Sequence, residues 1–165
     1  MHPTLASELT ALLGDRISFA ELQRGLHATD ASHYQIMPQA VVWPKNEAEL
    51  SRILALAHPH GTPSTVRGAG TSLSGQTHGP GLILDLSRHM DHILEINPEA
   101  GWARVQPGVI RDQLNAAVAE FGLQFAPDPA TSSRATIGGM IGNNSSGTRS
   151  VLYGKTSDHL LSCRV

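Results

Sequence analysis

The chain is poor in cysteine, in aromatic residues and in charge: one Cys, seven Phe, Trp and Tyr together, and 16% charged residues in a length of 165. A lone cysteine, Cys163, forms no internal disulfide, so a reducing, cytoplasmic setting is the expectation. No run approaches the ~20 apolar residues that a membrane-spanning helix needs. The opening Met1-His2-Pro3-Thr4 lacks the basic region and apolar run of a signal peptide. A net charge of −2 gives no electrostatic footprint for nucleic acid or for an anionic membrane. What remains is 40% apolar with a mean hydropathy of −0.13, the profile of a folded globular chain long enough for a real core.

Glycine is plentiful and unevenly placed. Six glycines lie in residues 61–81 and five in residues 138–154, so 11 of the 16 occupy 38 positions. Two ordinary surface loops would produce such clusters; so would turns that need positive φ or a backbone approached closely by a ligand.

Around them the pattern resolves into elements. Leu5, Leu9, Leu12 and Leu13 predict a helix over 4–13, stopped at Gly14. A second short helix is expected near 18–26, and residues 27–39, without a period, read as an extended connection. Ala40-Val41-Val42-Trp43 reads as a strand closed by Pro44. Asn46 then stands three residues before Glu49, a capping-box start for a helix carrying Leu50, Ile53, Leu54 and Ala57. With a strand at 63–67 this makes a βαβ unit with parallel pairing. Residues 82–85, 93–96 and 102–105 predict further strands, the last two joined by a hairpin turn over 97–101. A helix with Ile110, Leu114, Ala117, Val118 and Phe121 follows, stopped by Gly122. Residues 126–150 are loop-like, and a last strand is expected to start at Asp158 and run to Val165, with Cys163 as a buried, inert thiol in it.

The first cluster, Arg67-Gly-Ala-Gly-Thr-Ser-Leu-Ser-Gly75, follows a predicted strand. Walker A nearly fits from Gly70 to Thr77, but Gln76 stands at the lysine position. The Rossmann pattern GxGxxG fails because Leu73 replaces its third glycine, and no helix follows. Neither motif holds. The residue types still suit an anion: Gly68 and Gly70 let successive N–H groups converge, Thr71, Ser72 and Ser74 add hydroxyls, and Arg67 either adds charge or supports the loop from behind. In the second cluster, Thr136-Ile137-Gly138-Gly139 places two bare Cα atoms side by side, Gly142 lies three further on, and Asn143 and Asn144 offer amide groups for a heteroaromatic edge.

Taken together, residues 67–75 and 127–147, followed by Tyr153-Gly154, resemble the FAD-binding domain of the vanillyl-alcohol-oxidase or PCMH-type flavoproteins. Within that group the likeness is greatest to bacterial D-lactate dehydrogenases and glycolate oxidase subunits. The stretch that opens at Ile137 and continues as GGMIGNNSSGTRSVLYGKTSDHLL (138–161) is most similar to the large members that also carry iron–sulfur modules. The resemblance covers residues 38–165 and leaves 1–37 as an N-terminal helical segment. It implies an α+β fold, a small βαβ-containing lobe plus a second sheet lobe with FAD between them, C-terminally truncated.

It also implies site residues. Arg67, Gly68, Ala69, Gly70, Thr71 and Ser72 would wrap the FAD pyrophosphate, with Gly75 closing the loop. Pro127, Asp128, Thr136, Ile137, Gly138 and Gly139 would flank the flavin, and Gly142, Asn144, Ser146 and Gly147 would continue that wall. Covalent relatives place a histidine in the first loop, where Thr71 and Ser72 stand here; non-covalent FAD is expected. The implied parent oxidises a D-2-hydroxy acid of lactate, glycolate or 2-hydroxyglutarate type by hydride transfer to flavin. The resemblance carries over no catalytic acid or base, so the fragment alone is expected to be inactive, to hold FAD weakly or not at all, and to self-associate through its truncated face. A non-enzymatic nucleotide- or anion-binding module and a ligand-free interaction fragment are the alternatives. The nine histidines fall into no ligand pattern with cysteine or carboxylates, so no metal is expected. Asn143-Asn144-Ser145 matches a glycosylation sequon by chance.

Overall fold

The computed structural model describes residues 1–164. They form two compact units, Met1–Met90 and the stretch from Asp91 onward.

In the first unit, helix α1 (Pro3–Leu13) buries Leu5, Leu9 and Leu13, the residues whose spacing predicts it. Strand β1 (Ile17–Ser18) and helix α2 (Glu21–Leu26) follow, then β2 (Ala40–Val42), α3 (Glu47–Ala57), β3 (Ser64–Arg67) and β4 (Leu82–Asp85). The sheet order is β1-β2-β4-β3, with β1 antiparallel to β2 and both β2 and β3 parallel to β4. The expected βαβ unit is therefore present, but its two strands do not pair with each other. Strand β4 inserts between them, Ile83 facing Val41 on one side and Thr65 on the other. The reason lies in composition. Leu82, Ile83 and Leu84 are apolar on both faces and fully buried, which suits a central strand, whereas Val66 of β3 is exposed, as an edge permits.

Alternation divides the sheet's side chains. Ala40, Val42, Leu82 and Leu84 pack against α1 and against Ile53 and Ala57 of α3. Val41, Ile83 and Trp43 form a separate buried cluster. The α3 cap forms by half: Asn46 Oδ1 accepts from the Glu49 N–H at 2.9 Å. The Glu49 carboxylate turns away, accepting from Arg16 at 2.8 Å and from the Lys45 N–H at 2.8 Å, so it ties α3 to the start of β1.

Asp85, at the end of β4, accepts from Trp43 Nε1 at 3.1 Å and from the Ser87 N–H and hydroxyl at 3.0 and 2.7 Å, with His27 Nε2 at 3.3 Å. Burial pushes this carboxyl up, but the hydrogen bonds from His27 and Ser87 and the His27 charge together pull it below its ordinary value. A depressed folded-state pKa contributes stability above the unfolded value and loses it as the pH falls through the folded one. Asp85→Asn is therefore expected to cost about 1–2 kcal/mol in urea unfolding at pH 7. That gap should shrink as the wild type is acidified below pH ~4. A gap of constant size across that range would refute the assignment.

The second unit begins with β5 (Ile93–Asn97) and β6 (Trp102–Val105), the expected antiparallel hairpin, with a register irregularity between Ile93 and Glu95. Asn97 Oδ1 closes the turn by accepting the Ala100 N–H at 2.9 Å. Helix α4 (Arg111–Val118) runs into a 3-10 turn ended by Gly122. Helices α5 (Ile137–Gly142) and α6 (Ser150–Tyr153) lie within the long loop-like region. Val109, Leu114, Val118, Ala135, Ile137 and Met140 form the core.

The expected terminal strand is not formed. Thr156–His159 is a 3-10 turn, and residues 160–164 have no regular structure; Val165 lies outside the described residues. Thr156 is buried and bound through both its N–H and hydroxyl to the Ser145 carbonyl, while Asp158 Oδ2 accepts the Lys155 N–H at 2.7 Å. These local bonds curl the chain where a strand would need a partner. Cys163 is exposed, not the buried thiol expected there.

Candidate functional site

The first glycine segment leaves β3 at Arg67 and returns into β4. Among the described residues, no backbone N–H of 68–73 donates a hydrogen bond within the chain. Six successive N–H groups free of intrachain bonds in one short, partly exposed loop suit an anion. Gly70 has φ +67°, and a Cβ there would lie 2.8 Å from Arg67 Cζ. A side chain there would be strained by the conformation and would displace the Arg67 guanidinium. Arg67 itself works from within the loop's base: Nη1 donates to the Thr29 carbonyl at 2.8 Å and to the Thr77 carbonyl at 3.3 Å. Burial lowers its pKa against the opposing charges of Asp85 and Asp30, yet a guanidinium stays protonated. Ala69 is exposed, and Thr71 and Ser72 are half-buried, with Ser72 Oγ accepting the Ser74 N–H at 3.2 Å.

The second segment uses its glycines differently. The N–H groups of Ile137, Gly138 and Gly139 are all consumed, by the carbonyls of Val109 and Pro107 at 2.8 Å each and by Thr136 Oγ1 at 3.3 Å. A Cβ on Gly138 would lie 2.6 Å from that of Pro107, and one on Gly147 would overlap the Asp128 carbonyl. These two glycines admit neighbouring backbone. Gly142 by contrast has open space above its Cα. Asn144 stands at φ +44° and accepts the Ser157 N–H at 3.0 Å, while Ser146 is exposed.

Pro127 and Asp128 are held from two sides. Buried Arg111 donates from Nε to the Pro127 carbonyl at 3.0 Å and from Nη2 to the Phe125 carbonyl at 3.2 Å. Asp128 Oδ1 accepts the Arg149 N–H at 2.8 Å. So the structure brings Asp128 together with Gly147 and groups Thr136 to Gly139 at the start of α5. Gly142, Asn144 and Ser146 stand on exposed backbone beyond it.

An FAD binding domain model matches residues 38–165, most of the chain and both glycine segments. The chain belongs to this FAD-binding family. Its curated relatives include the D-2-hydroxyglutarate dehydrogenase of Escherichia coli (strain K12), 51% identical over 140 residues that make up 83% of this chain and 14% of that protein. The glycolate oxidase subunit GlcD of Bacillus subtilis (strain 168) is 44% identical over 146 residues, 86% of this chain and 31% of that one. The chain thus spans under a third of the length of these relatives. Among solved structures, an alkyldihydroxyacetonephosphate synthase superposes with a TM-score of 0.85 at 24% identity, over 96% of this chain and 32% of its own. A p-cresol methylhydroxylase superposes with 0.73 at 23%, over 86% and 29%. These likenesses establish the α+β, PCMH-type fold.

FAD is accordingly the cofactor of the domain, and the open donors of 68–73 fit its diphosphate. No helix among the described residues is long and apolar enough to cross a membrane. Sequence reasoning missed Arg111, although a signal was present: 111, 114 and 118 share the buried face of α4, so a charge stands on an apolar stripe.

Proposed function

We propose that this FAD-binding domain serves an oxidoreductase acting on a D-2-hydroxy acid of the lactate, glycolate or 2-hydroxyglutarate type. Its relatives are a D-2-hydroxyglutarate dehydrogenase, a glycolate oxidase subunit and, at 31% identity, the mitochondrial D-lactate dehydrogenase [cytochrome] of Arabidopsis thaliana. The observation that carries the cofactor reading is the row of six open N–H groups at 68–73. Bound flavin supplies the hydride acceptor for such an oxidation.

The chain's own residues bind and orient. Gly68, Ala69, Gly70, Thr71 and Ser72 present donors to the diphosphate, Arg67 fixes their geometry and Gly75 closes the loop. Pro127, Asp128, Thr136, Ile137, Gly138, Gly139, Gly142, Asn144, Ser146 and Gly147 form the second contact segment. Residues 67–75 contain no histidine, which supports non-covalent attachment. Exposed Val151, Leu152 and Leu161 support self-association of the chain by itself.

Titration with FAD, followed at equilibrium by quenching of flavin fluorescence, is expected to show saturable binding approaching about one equivalent, with the weak affinity expected of the fragment. ADP and pyrophosphate should compete. Saturation by ADP with flavin excluded would replace this reading with a nucleotide-binding module. No response to any of the three, with a self-associated elution profile, would replace it with an interaction fragment.

A further inference from the structure

The FAD-binding family match begins at residue 38, yet the diphosphate loop is anchored to residues before it. Residues 28–36 fold back on themselves: Thr29 and Gln35 form an antiparallel bridge, and the Ile36 N–H donates to the Ala28 carbonyl at 2.9 Å. The Asp30 carboxylate, its side chain 0% exposed, lies at the centre. Oδ1 accepts the Ser32 N–H at 2.8 Å, and Oδ2 accepts the Thr77 hydroxyl at 3.1 Å. The Thr29 carbonyl receives Arg67, which also binds the Thr77 carbonyl. Asp30, Thr77 and Arg67 thus close a ring that joins the hairpin to both ends of the loop.

A second contact lies nearer the middle. A Cβ built on Gly75 would stand 2.8 Å from Tyr34 Cδ2 and 3.2 Å from His78 Nε2. The Tyr34 ring and the imidazole therefore both crowd the place a side chain on Gly75 would take. His78 is 2% exposed at its side chain, sits 4.0 Å from Asp30 Oδ1, and has no hydrogen-bond partner on either nitrogen. Tyr34 is 62% exposed and contributes nothing to the buried core. Burial pushes the Asp30 carboxyl up, but hydrogen bonds from Ser32 and Thr77 and the His78 charge leave it below its ordinary value, so it stays ionised.

We infer that Asp30 and Tyr34 are positioning residues of the FAD site: the 28–36 hairpin holds the 68–77 loop with its donors converged before the cofactor arrives. This role rests on the FAD reading. The physical gain is preorganisation, because the N–H groups of 68–73 make no intrachain bonds that would fix their direction. A fixed support behind it removes the ordering cost from the binding step.

Backbone 15N relaxation of the ligand-free chain tests this without any bound flavin. Asp30→Ala and Tyr34→Ala are each expected to lower the order parameters across 68–77 from roughly 0.8 to below ~0.6, while β2 and β4 keep wild-type values. Tyr34→Phe should keep wild-type order parameters, since it is the ring that lies against Gly75. FAD affinity, read by fluorescence quenching, should fall at least ~10-fold in both alanine variants and stay at the wild-type level in Tyr34→Phe. Wild-type order parameters across the loop in Tyr34→Ala, whose exposed side chain cannot unfold the core, would overturn the inference. So would a loss of order that spreads equally through β2 and β4. If the wild type takes up no FAD, the flavin reading fails by itself, and the relaxation data still decide whether the hairpin positions the loop.

Discussion

Replacing Gly70 with valine is expected to weaken FAD binding about 100-fold while the unit around it stays folded. Two costs combine. A side chain at φ +67° is worth roughly 1–2 kcal/mol of backbone strain, and the new Cβ meets the Arg67 guanidinium. Moving Arg67 disturbs its hydrogen bonds to the Thr29 and Thr77 carbonyls, the first exposed and the second part-buried, which loosens the loop's base. The loop can escape most of this by rearranging, because its N–H groups hold no internal bonds. The penalty then appears when the donors must be gathered around a ligand. Gly61→Val is the matched control, with φ +58° and open space about it. It should carry the backbone cost of about 1 kcal/mol and leave FAD affinity unchanged. Isothermal titration of the two variants decides the matter; equal losses of affinity would show that general destabilisation, not the loop, is responsible.

Gly81→Ala should do the opposite, damaging the fold first. Gly81 stands where the chain enters the central strand. Its own carbonyl accepts the Gln39 N–H at 2.8 Å, and the Pro63 carbonyl beside it accepts the Leu82 N–H at 2.9 Å. An added Cβ would overlap that Pro63 oxygen and lie 2.8 Å from its carbon. Backbone cannot swing aside as a flexible side chain can, so β3 and β4 must separate at their first rung. A loss of roughly 3 kcal/mol in urea unfolding is expected, against about 1 kcal/mol for Gly61→Ala. A Gly81→Ala protein with a wild-type midpoint would show that the β3–β4 entry relaxes freely.

The pair also separates two reasons for glycine that composition cannot tell apart. Gly70 permits a conformation and leaves donors open; Gly81, Gly138 and Gly147 make room for neighbouring backbone. All four belong to the clusters visible in the sequence, and all four look alike there.

Much of the architecture was legible from local pattern. The leucines of α1, the Asn46 cap of α3, the 93–105 hairpin and the α4 stripe ended by Gly122 all appear where spacing predicts them. Each depends on a period or a cap formed within a few residues of chain. The order and content of the two glycine segments likewise carried the resemblance to FAD-binding domains, which the family match bears out.

The sequence by itself thus determined the cofactor class and most elements and apolar faces as far as α4, but not the helices and turns beyond it. Tertiary structure alone decided that β4 separates β2 from β3, that Arg111 clamps Pro127, that the 28–36 hairpin is bonded to the base of the first glycine loop, and that the chain past Thr156 turns instead of forming a strand. The physical reason is the same throughout. Periodicity records that a face is buried or that a turn is needed, but the partner that buries the face, or receives the hydrogen bond, stands tens of residues away and leaves no trace in local spacing.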